Sequence, residues 1–190
     1  QVFYLGPLVH SAFDNPQQLH WGTAVYVQSW RQCVRDAVWL RNQVVAPVTE
    51  ELVFRGAMLP MLVPCTGPTA AIFTAPLFFG SFFLFKKSSI SKTVFFLYTT
   101  VFGAFTAFIF MRTGHVVGPV LCHSFCNSRG LPDIIAALQH PQKSPLLLSY
   151  VMGLLLFLVL LFPLTDPFFY GVTPVCSLAV QSSSAICFLF

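Results

Sequence analysis

Residues 146–162 read LLLSYVMGLLLFLVLLF, an apolar run that no charged residue interrupts. A helix that crosses the hydrocarbon core of a bilayer needs about 20 apolar residues, and spans of about 17 also occur. Inside hydrocarbon every backbone amide must find its hydrogen bond within the segment, which an α-helix provides. The run therefore predicts a membrane-spanning helix in an all-α protein.

The composition of the chain indicates the same class of protein. Of the 190 residues, 56% are hydrophobic and 8% are charged, whereas a soluble domain carries about 25% charged residues. These values exclude an ordinary soluble domain. The length predicts one membrane-embedded domain, residues 1–190, with room for about five spans. Because the sequence begins with Gln1 rather than Met, we expect an N-terminally truncated fragment.

The basic residues lie at the ends of apolar stretches. The formal net charge is +4. Arg31, Arg35 and Arg41 precede one apolar stretch, and Lys86 and Lys87 follow another. Scattered positive charge of this kind favours cytosolic loops beside a lipid bilayer over a nucleic-acid surface.

Polar and proline-containing interruptions divide the rest of the chain. We expect a surface segment over residues 1–20, an amphipathic interfacial helix over 22–41 and a loop over 131–145. Further helices are predicted over residues 44–63, 69–85, 93–111 and 115–128. The first of these four is expected to break at the cluster formed by Pro60, Pro64, Gly67 and Pro68.

Two adjacent carboxylates, Glu50 and Glu51, stand inside the apolar segment 44–63. A charge at the bilayer centre costs about 3 kcal/mol, so each needs a partner or a function. Glu51 and Arg55 are four residues apart on one helix face and can form an ion pair. Glu50 lies about 100° around the helix and cannot share that pair well. Its pKa should rise in a poorly hydrated cavity, which suits a general base that activates water. The alternative is a structural ion network that joins helices.

A second polar pair, His123 and Asn127, also projects from one helix face because the two residues are four apart. An imidazole and a carboxamide in this arrangement can donate hydrogen bonds to an oxyanion that forms on a peptide carbonyl. The alternative is a polar pair that hydrogen-bonds to a neighbouring helix, as is common in membrane proteins.

A zinc site is the other chemistry to weigh. The chain has no H-E-x-x-H sequence. The candidate ligands Glu50, Glu51 and His123 lack a second histidine at a natural spacing. We therefore predict no metal and no cofactor.

Two motifs resemble those of a known family. Residues 41–55, RNQVVAPVTEELVFR, are similar to the E-E-x-x-x-R region of the type II CaaX prenyl endopeptidases. Residues 114–127, GHVVGPVLCHSFCN, resemble that family's H-x-x-x-N helix. The resemblance covers residues 39–171, and two such motifs in the right order make it specific.

The resemblance implies a multi-pass helical bundle in the endoplasmic reticulum membrane, with a polar cavity open to the cytosol and to lipid. It implies a metal-independent endopeptidase that removes the aaX tripeptide from farnesylated or geranylgeranylated CaaX proteins, such as small GTPases. Glu50 would activate water, His123 and Asn127 would support the oxyanion, and Glu51 and Arg55 would assist.

One position departs from the family pattern. Where the family has an F-G-x-x-H element whose histidine assists the glutamate, this chain has Phe79-Gly80-Ser81-Phe82-Phe83. The stretch that follows, up to Tyr98, is also shorter than expected. An impaired family member or splice variant that binds prenylated proteins is therefore the alternative. A proton-coupled transporter that uses Glu50 is a more distant one, because no internal repeat is present.

Overall fold

In a computed structural model of the chain, residues 2–14, 32–84, 89–130 and 132–171 are described, and of residues 79–84, 89–92 and 94 only the backbone is. The described part is helical and contains no strand. The α-helices are α1 (Leu5–Asp14), α2 (Ala37–Leu40), α3 (Ala46–Glu51), α4 (Leu59–Thr66), α5 (Pro68–Leu84), α6 (Ser89–Thr113), α7 (Val117–Arg129), α8 (Ile134–Gln139), α9 (Lys143–Leu164) and α10 (Pro167–Tyr170). Two π-helical segments, Arg41–Val45 and Leu52–Met58, lie between α2 and α3 and between α3 and α4.

Among the described residues, two helical stretches are long and apolar enough to cross a membrane, Phe95–Thr113 in α6 and the whole of α9. The helix predicted at residues 146–162 is confirmed as part of α9. Within an apolar window of 18 residues, 11% of α9 is buried in the protein, against 44% for α6. An apolar helix that leaves most of its surface uncovered is suited to contact with lipid. The multi-pass arrangement stays a prediction.

The chain divides into two compact units. The first comprises Gln1–Ala46 and His123–Leu164, and the second Pro47–Cys122 and Thr165–Phe190. Discontinuous units can belong to one domain, so the single domain expected for residues 1–190 stays a prediction.

In the first unit, α1 packs against α9 through small residues. A Cβ atom on Gly6 would collide with the ring of Tyr150, and a Cβ atom on Gly153 would lie 3.1 Å from Leu5. Small residues allow two helices to approach closely. The surface segment predicted for residues 1–20 therefore contains a helix, α1, in which only Gly6 is buried. The helix predicted for residues 22–41 falls largely outside the described residues.

In the second unit, α4, α5 and α6 enclose the apolar core. The fully or almost fully buried residues include Leu59, Val63, Ala71, Ala107 and Met111. α5 and α6 match the segments predicted at 69–85 and 93–111. The small alanines let these two helices approach, while the leucine and methionine fill the space between them.

The π-helical segments have a visible cause in the sequence. In each, the residue just before a proline makes an i→i−5 hydrogen bond: Ala46 N–H donates to the Arg41 carbonyl, ahead of Pro47, and Leu59 N–H donates to the Phe54 carbonyl, ahead of Pro60. Proline lacks an N–H and its ring clashes with the carbonyl four residues earlier. Local widening to the π form absorbs that clash.

The break predicted at the cluster of Pro60, Pro64, Gly67 and Pro68 is present at Gly67, but not at Pro60. Helix α4 continues through Pro60 and Pro64 and ends at Thr66, before Gly67 with its positive φ of 82°. The loop predicted for residues 131–145 is wrong in part, because α8 lies inside it. Asp133 caps α8 by accepting a hydrogen bond from the Ala136 N–H.

Candidate active site

Glu51 and Arg55 form the ion pair that their spacing predicts. The Arg55 Nε lies 3.0 Å from the Glu51 Oε2. Glu51 is 0% exposed and Arg55 is 3% exposed. Removing two charges from water costs several kcal/mol per ion, which only close geometry and additional hydrogen bonds offset. Such a pair therefore needs further hydrogen-bond partners that are already in place around it.

Helix α6 supplies that environment. The Arg55 Nη2 donates to the Gly103 carbonyl at 3.2 Å and to the Thr106 hydroxyl at 2.6 Å. A Cβ atom on residue 103 would lie 3.4 Å from the same Nη2 and 2.8 Å from the Cβ of Pro76. Glycine at this position therefore lets the guanidinium reach the backbone of α6. The pair is anchored to a neighbouring helix, as the structural alternative requires, and it fixes the helix that carries Glu50.

Glu50 has a different environment from Glu51. It is the last residue but one of α3 and is partly exposed, while Glu51 beside it is fully buried. The two carboxylates thus differ in solvent exposure, while the role predicted for Glu50 as the general base stays a prediction. Glu50, Glu51 and Arg55 all belong to the second unit.

His123 and Asn127 lie on α7, the helix predicted at residues 115–128, and belong to the first unit. His123 is 9% exposed, and Asn127 is exposed. The Asn127 Nδ2 donates to the Asn42 carbonyl at 2.9 Å. This contact agrees with the alternative that the His123–Asn127 pair hydrogen-bonds to a neighbouring helix. An amide nitrogen carries two hydrogens, so this bond leaves the second hydrogen for another acceptor. The grouping of Glu50 with His123 and Asn127 stays a prediction.

The sequence did not reveal four residues that support these helices: Gly103, Thr106, Arg112 and Thr165. The Gly103 carbonyl and the Thr106 hydroxyl accept hydrogen bonds from Arg55, as described above. Arg112 was predicted only to end a helix, yet it is buried, and its Nε donates to the Thr165 hydroxyl at 2.9 Å and to the Thr165 carbonyl at 3.1 Å. An arginine inside an apolar run was the available signal, because such a charge requires a partner.

Two further predictions concern chemistry outside these pairs. Within the described residues, no three His, Cys, Asp or Glu side chains are grouped so that they could hold a metal ion. Phe83 lies in α5 near its C-terminal end, and its side chain is outside the described part. The predictions that metal is not needed and that Phe83 replaces a helping histidine both stay predictions.

Comparison with known proteins identifies a family. The family described as type II CAAX prenyl endopeptidase, Rce1-like, matches residues 36–129. These residues contain both motifs, from Glu50 to Asn127. No solved structure matches the chain.

Several curated proteins are similar over most of the chain. CAAX prenyl protease 2 of Homo sapiens is 51% identical over 204 aligned positions, which cover 98% of this chain and 62% of that protein. The protein of the same name from Rattus norvegicus is 48% identical, with 97% and 58% covered. The Arabidopsis thaliana protein is 40% identical, with 71% and 46% covered.

This chain thus spans less than two thirds of the length of these relatives. The similarity nevertheless covers almost all of the chain and includes both motifs. The chain belongs to the type II CAAX prenyl endopeptidase family of helical membrane proteins.

Proposed function

We propose that this chain is an intramembrane endopeptidase that removes the C-terminal aaX tripeptide from prenylated CaaX proteins. It would act as a multi-pass protein of the endoplasmic reticulum membrane, with its helices around a polar cavity. The names of the relatives support the reaction class, since each is a CAAX prenyl protease.

The observation that carries the proposal is the contrast between the two carboxylates. Glu51 is completely buried against Arg55, so its charge is committed to holding the helix. Glu50 keeps partial access to its surroundings. A general base must reach a water molecule, and a carboxylate in a poorly hydrated site takes a proton more readily than one in bulk water.

The proposed reaction needs three side chains. Glu50 takes a proton from water, and the oxygen of that water attacks the carbonyl carbon of the prenylated cysteine. Hydrogen bonds from His123 and Asn127 stabilise the negative charge that develops on the carbonyl oxygen. When the C–N bond breaks, the proton passes from Glu50 to the leaving amine. The products are the tripeptide and a protein that ends in prenylcysteine carboxylate.

The proposed partners follow from the chemistry of the substrate. A prenyl chain is apolar and resides in the bilayer, so prenylated proteins such as small GTPases would reach a membrane-embedded site through lipid. The large uncovered apolar surface of α9 indicates that this chain itself meets lipid directly.

The test is tripeptide release from a farnesylated peptide, measured with the chain extended to the length of its relatives. Replacing Glu50 by Gln should lower the rate by about 10²- to 10⁴-fold with little change in thermal stability. Asp36→Asn is the matched control, because Asp36 is an exposed acid that caps α2 and Asn caps nearly as well. Near-normal turnover of the Glu50 variant would refute the assignment.

A second candidate function is binding without efficient cleavage. Phe83 stands where the family has a histidine, and the alignment with the human relative has more positions than this chain has residues, so some positions there have no counterpart here. Tight binding of a farnesylated peptide by the unmodified chain, with no tripeptide released, would favour this role.

A further inference from the structure

A polar cleft in the first unit is separate from every residue in the proposed reaction. It has a volume of about 220 Å³ and lies between α1, the residues that follow α7, and α9. Pockets for drug-sized ligands are about 300–1,000 Å³, so this one suits a smaller polar group. Its chemistry is set by Ser11, Asp14, Arg129, Asp133 and Tyr150.

The cleft contains hydrogen-bond donors from which no described residue accepts a hydrogen bond. The Tyr150 hydroxyl oxygen is buried and has no partner in the described part of the chain. Arg129 lines the same cleft, and across the described ranges neither a hydrogen bond nor an ion pair engages its guanidinium. A buried hydroxyl without a partner costs about 1–3 kcal/mol. A guanidinium beside a hydroxyl is the donor set that recognises phosphate oxygens.

The same cleft also contains acceptors. The carboxylate of Asp14 lies 3.6 Å from His10 Nε2 and 3.5 Å from His140 Nε2, and Asp133 uses one oxygen to cap α8. An ionised carboxylate offers about four acceptor positions, so both retain capacity for a further donor. Two carboxylates that line the same cleft as one arginine disfavour a simple anion. They suit a ligand that joins a phosphate to a primary ammonium.

The position of the cleft identifies the source of such a ligand. Tyr150 lies in the N-terminal half of α9, seven residues after Lys143. This separation is about 10 Å along the helix axis. Helix α9 has 22 residues and is about 33 Å long, slightly more than the about 30 Å hydrocarbon core. The uninterrupted apolar run of α9 begins only at Leu146, about 6 Å before Tyr150 along the helix axis. A long helical side chain points back towards the N-terminal end of its helix, so the Tyr150 hydroxyl is directed towards the headgroup region, where Tyr is favoured.

The apolar surface beside the cleft would hold the rest of the molecule. Leu154 lies four residues after Tyr150 on the same face of α9 and is 44% exposed. Only 11% of the residues in the 18-residue apolar window of α9 are buried. Acyl chains can lie along such a surface while the headgroup enters the cleft. We propose that this cleft binds the phosphoethanolamine headgroup of a membrane phospholipid, with its phosphate on Arg129 and Tyr150 and its ammonium on Asp14 and Asp133.

The experiment is native mass spectrometry of the purified chain after exchange into equal amounts of phosphatidylethanolamine and phosphatidylcholine with identical acyl chains. We expect preferential retention of phosphatidylethanolamine. Arg129→Gln should reduce that retention about tenfold or more, since a hydrogen bond to a charged group contributes about 1.5–3 kcal/mol. Tyr150→Phe should reduce it less. Arg35→Gln, at an exposed arginine of the same unit outside the cleft, should leave it unchanged.

Three results would overturn the proposal. The first is equal retention of the two lipids by the unmodified chain. The second is a loss of retention in Arg129→Gln no greater than in Arg35→Gln; since Arg129 is exposed, its replacement should not prevent folding. The third is binding of soluble glycerophosphoethanolamine as tight as that of the lipid, which would identify a free metabolite as the ligand. The readout is lipid retention, so it does not depend on the proposed protease activity.

Discussion

At the scale of single residues, the Glu51–Arg55 pair combines complete burial with a salt bridge of 3.0 Å. Removing one partner of a buried pair costs about 3–5 kcal/mol, because an uncompensated charge remains. Glu51→Gln should therefore lower the thermal unfolding temperature of the detergent-solubilised chain markedly. From spacing alone, Glu51 is predicted to be partly replaceable for activity, because Arg55 is its partner. Its complete burial predicts that replacing it mainly lowers the stability of the fold.

The matched variant for that measurement replaces both partners. Glu51→Leu combined with Arg55→Met removes both charges at similar volume, and such replacements are often neutral or stabilising. Some loss is expected here, because the Thr106 hydroxyl and Gly103 carbonyl lose Arg55. The double variant should still unfold at a higher temperature than Glu51→Gln alone. A double variant less stable than the single one would show that Arg55 acts mainly through α6.

Asn127 gives a second prediction at this scale. If it donates to the oxyanion, Asn127→Ala should lower kcat by on the order of 10²-fold while KM changes little, because the interaction forms in the transition state. Its bond to the Asn42 carbonyl should account for about 1 kcal/mol of stability. Steady-state kinetics and thermal unfolding of the same variant separate the two roles. A loss of stability with unchanged kcat would assign Asn127 to structure alone.

At the scale of helices, two glycines offer a paired test of the α6 contact. Alanine is favoured over glycine in a helix by about 1 kcal/mol, and a Cβ atom on Gly56 has 3.8 Å of room. Gly56→Ala should be neutral or stabilising. Gly103→Ala would place its Cβ atom 2.8 Å from Pro76 and should cost about 1–3 kcal/mol through overpacking. Thermal unfolding compares the two, and equal effects would contradict the close packing of α5 and α6.

A helix could be predicted from the sequence where its apolar residues form one continuous run. The span in α9 could be predicted from one uninterrupted apolar run, and α6 from a run that ends at Arg112. Helix α1 could not, because its mixed composition hides a packing face that only the contact of Gly6 with Tyr150 reveals. The break predicted at the proline and glycine cluster is present only at Gly67, since a π-helical turn before Pro60 lets the helix continue through the first two prolines.

At the scale of the whole molecule, the candidate site could be predicted only where its contacts are local. The pair Glu51–Arg55 follows from i,i+4 geometry, and the pairing is confirmed. The bonds from Arg55 to Gly103 and Thr106 span about fifty positions in sequence, and no periodic pattern encodes such a distance. The same limit applies to Arg112 and Thr165.

Phe83 bears on whether the whole molecule turns over substrate. A phenyl ring can neither accept a proton nor hold a water molecule for Glu50. If Phe83 stands where the family has its histidine, as the sequence predicts, the chain lacks one water-orienting group. The stretch after Gly80 is also predicted to be shorter than in the family. We therefore expect the chain as written to fold but to release tripeptide feebly.

Two variants separate the missing side chain from the missing backbone. Phe83→His alone should restore little activity, because a shortened segment would leave the new imidazole misplaced. Replacing the stretch after Gly80 with one of family length that contains the histidine should restore much more, since one general acid or base contributes about 10²- to 10⁴-fold. Tripeptide release from a prenylated peptide, at matched protein amounts in lipid, measures both. Robust release by the unmodified chain would contradict the expectation and would mean that Glu50, His123 and Asn127 suffice, or that the exposed His115 has taken over the missing role.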